Sequence, residues 1–185
     1  MSHAPHADPH WQTLAPPDLE SCHRRWLFDR QSLTRRLSEL SAGRFSVTPI
    51  SERWQTLRDD DCQALGLPLG SDGWVREVYL CGAGVAWVYA RSVAARASLE
   101  HGALGIVLGE LGTRSLGELL FSDPGFDRQA IEVCHYPAPW LPVSYTASDL
   151  LARRSRFDRG EASVLVCEIF LPAFWQSVRA AQETS

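Results

Sequence analysis

Three charged residues lie inside segments that are otherwise apolar and strand-like. Arg76 and Arg91 fall in two neighbouring segments, and Glu168 is the only ionisable residue between Val164 and Leu171. Burying an unpaired carboxylate costs several kcal/mol or forces the group to take up a proton. Glu168 therefore requires a partner, and Arg76 is the natural candidate.

Two interpretations of Arg76 and Glu168 remain open at this point. In the first, they form a buried salt bridge that joins two strands, as structural ion pairs in sheets do. In the second, they line a polar pocket in which the planar guanidinium binds a carboxylate and Glu168 meets a hydroxyl. Arg91 would add a second positive charge to that pocket or, alternatively, would reach from a strand end to water.

The composition excludes several classes of chemistry. All 18 basic residues are Arg, so a Schiff-base mechanism, a pyridoxal phosphate anchor and a phosphate-loop lysine are excluded. The net charge is -4 and the pI about 5.8, so the overall field does not attract nucleic acid or an anionic membrane. No apolar stretch approaches the roughly 20 residues that span a bilayer. We expect neither a nucleic-acid partner nor an integral membrane segment.

Cysteine and histidine usage argues against a metal centre. The five cysteines are widely spaced and contain no CxxC pair, which disfavours a zinc site and a disulfide framework and favours a reducing cytoplasm. His3, His6 and His10 lie in residues 1–17, which also hold four prolines. Their spacing is compatible with a metal, but without a carboxylate or cysteine framework we predict a flexible N-terminal arm.

Two hairpins are the clearest structural signal. Residues 74–81 and 85–93 alternate in polarity on either side of a glycine-rich turn, and residues 148–157 and 162–171 flank a second turn. Alternation places Arg76 on one face of its strand. The length of the first turn leaves the register open by one residue, so the pattern does not decide whether the two hairpin arginines share a face.

The other elements complete the prediction of an α+β fold. We predict a single domain over residues 18–172, built on a mainly antiparallel sheet of about six strands with helices covering one face. Residues 173–185 are predicted as a tail with a short, frayed helix. The remaining predicted elements are two helices within 18–40, a strand at 45–54, a solvated loop at 58–73 that includes the acidic triplet 59–61, helices at 98–111 and 115–121, and a strand at 127–135.

Four strings in this order and spacing resemble the chorismate pyruvate-lyase family. They are WVREVYLC at 74–81, ARSV at 90–93, SLGELLF at 115–121 and CEIFLP at 167–172. The similarity extends from about Leu19 to Pro172 and is most specific from Trp74 onward. It implies a sheet with helical flaps over a buried pocket, and a lyase that converts chorismate to 4-hydroxybenzoate and pyruvate as the first committed step of ubiquinone synthesis.

The resemblance also implies the site residues. The ligand-contacting residues of the family fall on Arg76, Leu116 and Glu168, and a flap methionine falls on Leu33, a departure that keeps the apolar character. We expect Arg76 to bind the ring carboxylate, Glu168 to orient the hydroxyl, and Arg91 to hold the side-chain carboxylate. The resemblance implies no metal or organic cofactor. We also expect a monomer, and because the apolar lid formed by Leu33 and Leu116 must open to release the product, we expect slow release and inhibition by 4-hydroxybenzoate.

One alternative belongs to a different functional class. A related fold serves as the effector-binding domain of transcription regulators, so the chain could be a non-catalytic sensor of small aromatic acids. Such regulators carry a DNA-binding domain upstream. Only about 17 residues precede the first predicted helix and the net charge is negative, so we expect the lyase rather than the sensor.

Overall fold

The computed structural model describes residues 9–17, 19–100, 111–142 and 150–183. The helices in these ranges are α1 (Ser21–Leu27), α2 (Leu33–Leu40), α3 (Asp59–Leu65), α4 (Arg96–Glu100), α5 (Leu116–Ser122) and α6 (Pro172–Glu183), with a 3₁₀ turn at Ala138–Trp140. The strands are β1 (Phe45–Thr56), β2 (Asp72–Gly82), β3 (Val85–Ala95), β4 (Asp127–Arg128), β5 (Glu132–Tyr136), β6 (Leu150–Arg159) and β7 (Ala162–Phe170).

The seven strands form one antiparallel sheet, and the α+β fold class is confirmed. The strand order is β1-β2-β3-β7-β6-β4, with β5 also paired to β6. Both predicted hairpins are present, as β2–β3 and β6–β7. Ala83 and Gly84 join β2 to β3 with φ of 51° and 82°. Two positive φ values are typical of the tight turns whose twist matches that of a hairpin.

The register of the first hairpin settles where its two arginines point. Arg76 lies opposite Ser92, whereas Glu77 lies opposite Arg91. Because successive side chains of a strand alternate between faces, Arg76 and Arg91 lie on opposite faces of the sheet. We call the face that carries Arg76 the pocket face and the one that carries Arg91 the far face. Both faces are buried.

Helices cover both faces. On the pocket face, α1, α2 and α6 pack around Val78, Val88 and Phe170, and α5 packs around Trp74 and Val164. On the far face, the hydrophobic cluster is completed by residues of α3.

The prediction of a solvated loop at 58–73 was therefore wrong in its first half. The acidic triplet forms the first turn of α3, where the Asp61 carboxylate accepts a hydrogen bond from the Arg58 backbone N–H at 3.1 Å. Carboxylates are favourable in the first turn of a helix because they accept from unsatisfied N–H groups and complement the helix dipole.

Both ends of the described chain are attached to the sheet. Gln12 exchanges two backbone hydrogen bonds with Val133, at 3.0 and 2.8 Å. At the other end, Phe174 of α6 is fully buried and its ring packs against Trp26 and Phe170. The frayed helix predicted here is thus a packed one, because an aromatic anchor in its first turn enters the core. The helix predicted at 98–111 begins as α4, and residues 101–110 lie outside the described ranges. Among the described helices, each is too short or too polar to cross a bilayer.

Candidate active site

A narrow cavity lies on the pocket face between the sheet and the two helices α2 and α5. Its lining includes Arg76 and Glu168 from the sheet, Leu33 from α2 and Leu116 from α5. These are four of the five site residues that the sequence predicts. The space inside amounts to about 30 Å³, enough for one or two water molecules.

Arg76 forms one polar end of the cavity. Its side chain is only 2% exposed and pairs with the partly exposed Glu52, Nη1 to Oε2, at 3.3 Å. Its Nη2 donates to the backbone carbonyls of Gly112 at 2.6 Å and Arg114 at 3.1 Å. Burial lowers the pKa of the Arg76 guanidinium, and the charge of Glu52 offsets that effect only in part. The guanidinium is therefore a buried cation with incomplete neutralisation, and an anion beside it would be stabilised.

Glu168 forms a second polar group of the cavity, but its partner is not Arg76. Glu168 lies directly across from Arg153 in the β6–β7 pairing, and Arg153 Nε donates to Glu168 Oε2 at 2.5 Å. Within the described contacts, Arg76 and Glu168 each bind another residue. The predicted Arg76–Glu168 salt bridge is therefore not formed, and the cavity separates the two groups.

The prediction of Arg91 as a third site residue was wrong. Arg91 lies on the far face, where its Nη1 binds Asp61 Oδ1 at 2.7 Å and both side chains are 1% exposed. Glu77 lies 3.9 Å from Arg91 Nε. Burial lowers the pKa of Arg91, but the charge and hydrogen bond of Asp61 outweigh it, and the pKa lies above its ordinary value. Arg91 is thus a structural cation that α3 and β2 neutralise.

Two helices close the cavity from above. Leu33 is the first residue of α2 and Leu116 is the first residue of α5, and both are buried. The helices meet at a short hydrogen bond between Thr34 Oγ1 and Ser115 Oγ, 2.6 Å apart. We call α1, α2 and the turn between them the first lid, and the segment from 111 to 122 that contains α5 the second lid.

Sequence reasoning missed three residues at this site. Glu52 and Arg153 are the cross-strand partners of Arg76 and Glu168. Arg114 lines the cavity from an exposed position just before α5. Opposite charges at facing positions on neighbouring strands stabilise a sheet, so charge matching across the β6–β7 hairpin offered a signal for Arg153. The sequence offered no signal for Arg114, because only the tertiary fold brings this residue to the cavity.

The described residues contain one group of potential metal ligands. Donor atoms of Glu20, Cys22 and His23 lie within 4.8 Å of one another at the start of α1, outside the cavity lining. Partial burial and the hydrogen bond to Glu20 raise the pKa of Cys22. The thiol is thereby kept protonated at neutral pH, although metal binding requires the thiolate. His3 and His6 of the predicted arm lie outside the described ranges.

Fold and site together define a single-domain α+β protein with a small cavity that a buried arginine and a glutamate line. The family model described as chorismate lyase matches residues 9–180, and the chain belongs to that family.

Curated relatives agree with this assignment over most of the chain. One from Pseudomonas syringae pv. tomato, named a probable chorismate pyruvate-lyase, is 63% identical over 153 residues, covering 83% of this chain and 81% of the relative. One from Pseudomonas fluorescens, named probable chorismate pyruvate-lyase 2, is 64% identical and covers 85% of each. One from Pseudomonas putida, a probable chorismate pyruvate-lyase, is 56% identical, covering 88% of this chain and 86% of the relative.

Solved structures share the fold at low sequence identity. The C-terminal domain of the histidine utilization repressor from Pseudomonas syringae aligns with a TM-score of 0.52 and 11% identity, covering 70% of this chain and 93% of that domain. PhnF from Mycobacterium smegmatis aligns with a TM-score of 0.51 and 15% identity, covering 78% of this chain and 65% of that chain. At such identities the likeness concerns the fold alone.

Proposed function

We propose that the chain converts chorismate to 4-hydroxybenzoate and pyruvate in the cavity between Arg76 and Glu168. The observation that carries this assignment is the presence of a buried cation and a carboxylate, on different strands, lining one closed cavity in a chain of the chorismate lyase family. The substrate is a flat dianion with a carboxylate at one end of its ring and a hydroxyl at the other. Its two ends match the two polar groups.

Arg76 binds the ring carboxylate in this proposal. Three of its five N–H donors are used by Glu52, Gly112 and Arg114, which leaves donors for a ligand. A carboxylate would complete the neutralisation of the buried guanidinium. Arginine suits this role because it keeps its charge when buried, and hydrogen bonds from a cation to a carboxylate are stronger than neutral ones.

Glu168 orients the hydroxyl at the opposite end and accepts a proton during the reaction. The bond between the ring carbon and the enolpyruvyl oxygen breaks, and its electron pair leaves with the oxygen as the enolate of pyruvate. The ring carbon that bears the hydroxyl loses its proton, and the electrons of that C–H bond complete the aromatic ring. The enolate then takes up a proton on carbon. Aromatisation drives the reaction, so the protein contributes mainly orientation, worth up to about 7–11 kcal/mol in favourable cases.

The side-chain carboxylate of the substrate needs a second cation, and Arg114 takes that role in our proposal. Arg114 lines the cavity and its side chain is exposed at the mouth. A cation at the mouth attracts the dianion and holds the pyruvate part where it leaves. We expect Arg114→Gln to raise KM about two- to fivefold, in the range of an exposed charge pair.

The lids control entry and release. A cavity of about 30 Å³ is several times smaller than chorismate, so at least one lid moves to admit it. Leu33 and Leu116 then close over the ring. Since the product leaves only when a lid opens again, we expect release to limit turnover and 4-hydroxybenzoate to inhibit.

A direct assay tests the proposed function. The purified chain is mixed with chorismate, without added metal or nucleotide, and pyruvate and 4-hydroxybenzoate are measured together. We expect equal amounts of both, and a loss of at least about 100-fold in kcat for Glu168→Gln, which keeps the size of the side chain but cannot accept a proton. Neither product from the well-folded wild-type chain, with tight binding of 4-hydroxybenzoate, would favour the sensor instead.

Two further expectations concern the state of the protein. All five cysteines are free thiols, which fits the cytoplasmic location that we predict. We also expect a monomer. Light scattering of the purified protein at assay concentration measures this directly.

A further inference from the structure

Arg153 connects the carboxylate of the cavity to the first lid. Its Nε binds Glu168 at 2.5 Å, and its Nη1 donates to two backbone carbonyls, Trp26 at the end of α1 and Asp29 in the turn after it, both at 2.9 Å. The side chain is 2% exposed. One buried guanidinium therefore holds both a cavity group and the base of a lid.

The same turn is contacted by two more arginines, one from β4 and one from within the first lid. Arg128 of β4 donates to the carbonyl of Arg30 at 3.0 Å, and Arg36 of α2 binds the Asp29 carboxylate at 2.7 Å. Burial and the neighbouring charge of Arg153 lower the pKa of Arg128 to about 10. Arg128 and Arg153 therefore both bind backbone carbonyls of this turn.

The second lid is attached in a parallel way at the other end of the cavity. Arg76 donates to the carbonyls of Gly112 and Arg114, which precede α5. Each polar end of the cavity is therefore connected by hydrogen bonds to the backbone of one lid. The link at the Arg76 end is direct, whereas the link at the Glu168 end passes through Arg153.

We propose that Arg153 is a positioning residue that couples the orientation of Glu168 to closure of the first lid. This inference rests on the proposed function, since it assigns Glu168 to the substrate hydroxyl. A guanidinium can hold Glu168 and both carbonyls at once because its donors point in different directions. A displaced Glu168 therefore pulls on the turn, and an open lid leaves Glu168 without its fixed orientation.

The competing explanation is that Arg153 only stabilises the sheet as a cross-strand partner. Arg154, the next residue of β6, provides a matched control for it. Arg154 is also buried and also binds a cross-strand carboxylate, Glu132, at 2.7 Å, but it lies on the far face and outside the cavity lining. Both substitutions to Gln remove a buried ion pair, and only one of them breaks the link to the lid.

The test compares wild type, Arg153→Lys, Arg153→Gln and Arg154→Gln. Stability is measured by urea unfolding, and kcat, KM, the inhibition constant of 4-hydroxybenzoate and the single-turnover rate are measured for each. For Arg153→Gln we expect a fall of about 100-fold in single-turnover rate and inhibition by product at least about tenfold weaker. For Arg153→Lys, which keeps the charge beside Glu168 but loses the fork, we expect a near wild-type single-turnover rate with weakened product inhibition.

Arg154→Gln should lower the free energy of unfolding while keeping the single-turnover rate and the inhibition constant of 4-hydroxybenzoate within about threefold of wild type. If folded Arg153 variants match Arg154→Gln in kinetics as well as stability, Arg153 is only a structural partner and the inference is wrong. If Arg153→Gln does not fold, the same comparison is made with Arg153→Lys alone. An inactive wild type would instead overturn the proposed function.

Discussion

The two faces of the sheet carry similar rows of charges that differ in what lies above them. On the far face, Glu77 lies opposite Arg91, and Cys167 of β7 separates Arg91 from Arg154. On the pocket face, Glu168 faces Arg153 and Glu52 faces Arg76. The far face is sealed by α3, whose Asp61 reaches Arg91 at 2.7 Å. The pocket face is covered by lids that bring Leu33 and Leu116.

In our proposal, the element above each arginine therefore distinguishes the structural Arg91 from the ligand-binding Arg76. The Asp61 carboxylate of α3 binds Arg91, so the charge of Arg91 is already neutralised within the fold. The lids offer Arg76 only backbone carbonyls from Gly112 and Arg114. Carbonyls satisfy hydrogen bonds without cancelling the charge, which leaves the cation available to an anion.

The largest expected effect is the loss of stability when Arg91 on the far face is substituted. Arg91→Gln leaves Asp61 and Glu77 buried without their cation, and we expect a loss of about 3–5 kcal/mol in the free energy of unfolding. Urea unfolding measures the loss, with Arg156→Gln, a more exposed pair with Asp158, as the control. Activity per folded molecule should stay near that of wild type. A stable but inactive Arg91→Gln variant would show that the far face takes part in the reaction.

The next largest effect, that of Arg76→Gln, is expected on activity rather than on stability. Arg76→Gln removes the group that binds the ring carboxylate, and we expect kcat/KM to fall by about 10²–10³-fold, or roughly 2.7–4 kcal/mol. Its free energy of unfolding should change less than that of Arg91→Gln, since Glu52 is partly exposed and can be solvated. Steady-state assays and urea unfolding are carried out on both variants. If Arg76→Gln and Arg91→Gln lose stability and activity in equal proportion, the proposed contrast between the two faces is wrong.

A smaller effect is expected at the lids. Leu33→Ala and Leu116→Ala each remove apolar cover from the cavity, and we expect inhibition by 4-hydroxybenzoate to weaken about tenfold, in line with the loss of part of a buried side chain. Product inhibition is measured for each, with Leu69→Ala, at an exposed position, as the control. Unchanged inhibition in both lid variants would argue that the lids do not retain the product.

The smallest effect is expected on the pH dependence of stability, through Glu77 on the far face. Burial raises the pKa of Glu77, but the hydrogen bonds from Ser51 and Tyr89 and the charge of Arg91 outweigh it, and the pKa lies below the ordinary value of 4.5. A carboxyl with a lowered folded-state pKa stabilises the fold above that ordinary value and loses this contribution as the pH falls through the lowered one. Stability should therefore decline less steeply below pH 4.5 in Glu77→Gln than in wild type. Parallel declines, measured by thermal unfolding at several pH values, would contradict this assignment.

Local sequence patterns predicted the sheet better than they predicted the helices and loops that cover it. Alternation in β2 and β7 placed Arg76 and Glu168 on definite strand faces, because side-chain period alone decides this. The relation between Arg76 and Arg91 required the register, which is set by the tight turn at 83–84 and a bulge between Leu80 and Cys81. A difference of one residue decides whether Arg91 belongs to the cavity or to the core.

The missed residues share a physical cause. Asp61 looked like a solvated loop residue, since an acidic triplet near glycine and proline is typical of a loop, and only the tertiary contact with Arg91 explains its burial. The contacts of Arg153 with the first lid were missed because Trp26 and Asp29 are more than a hundred residues away in sequence and bind through backbone carbonyls. Backbone acceptors leave no signature in residue types.

A crystal structure of the chain with 4-hydroxybenzoate would test the assignment of the cavity most directly. We expect the ring between Leu33 and Leu116, its carboxylate on Arg76, and its hydroxyl within hydrogen-bond distance of Glu168. A product molecule bound outside the cavity, or inside it with the carboxylate directed away from Arg76, would contradict the assignment.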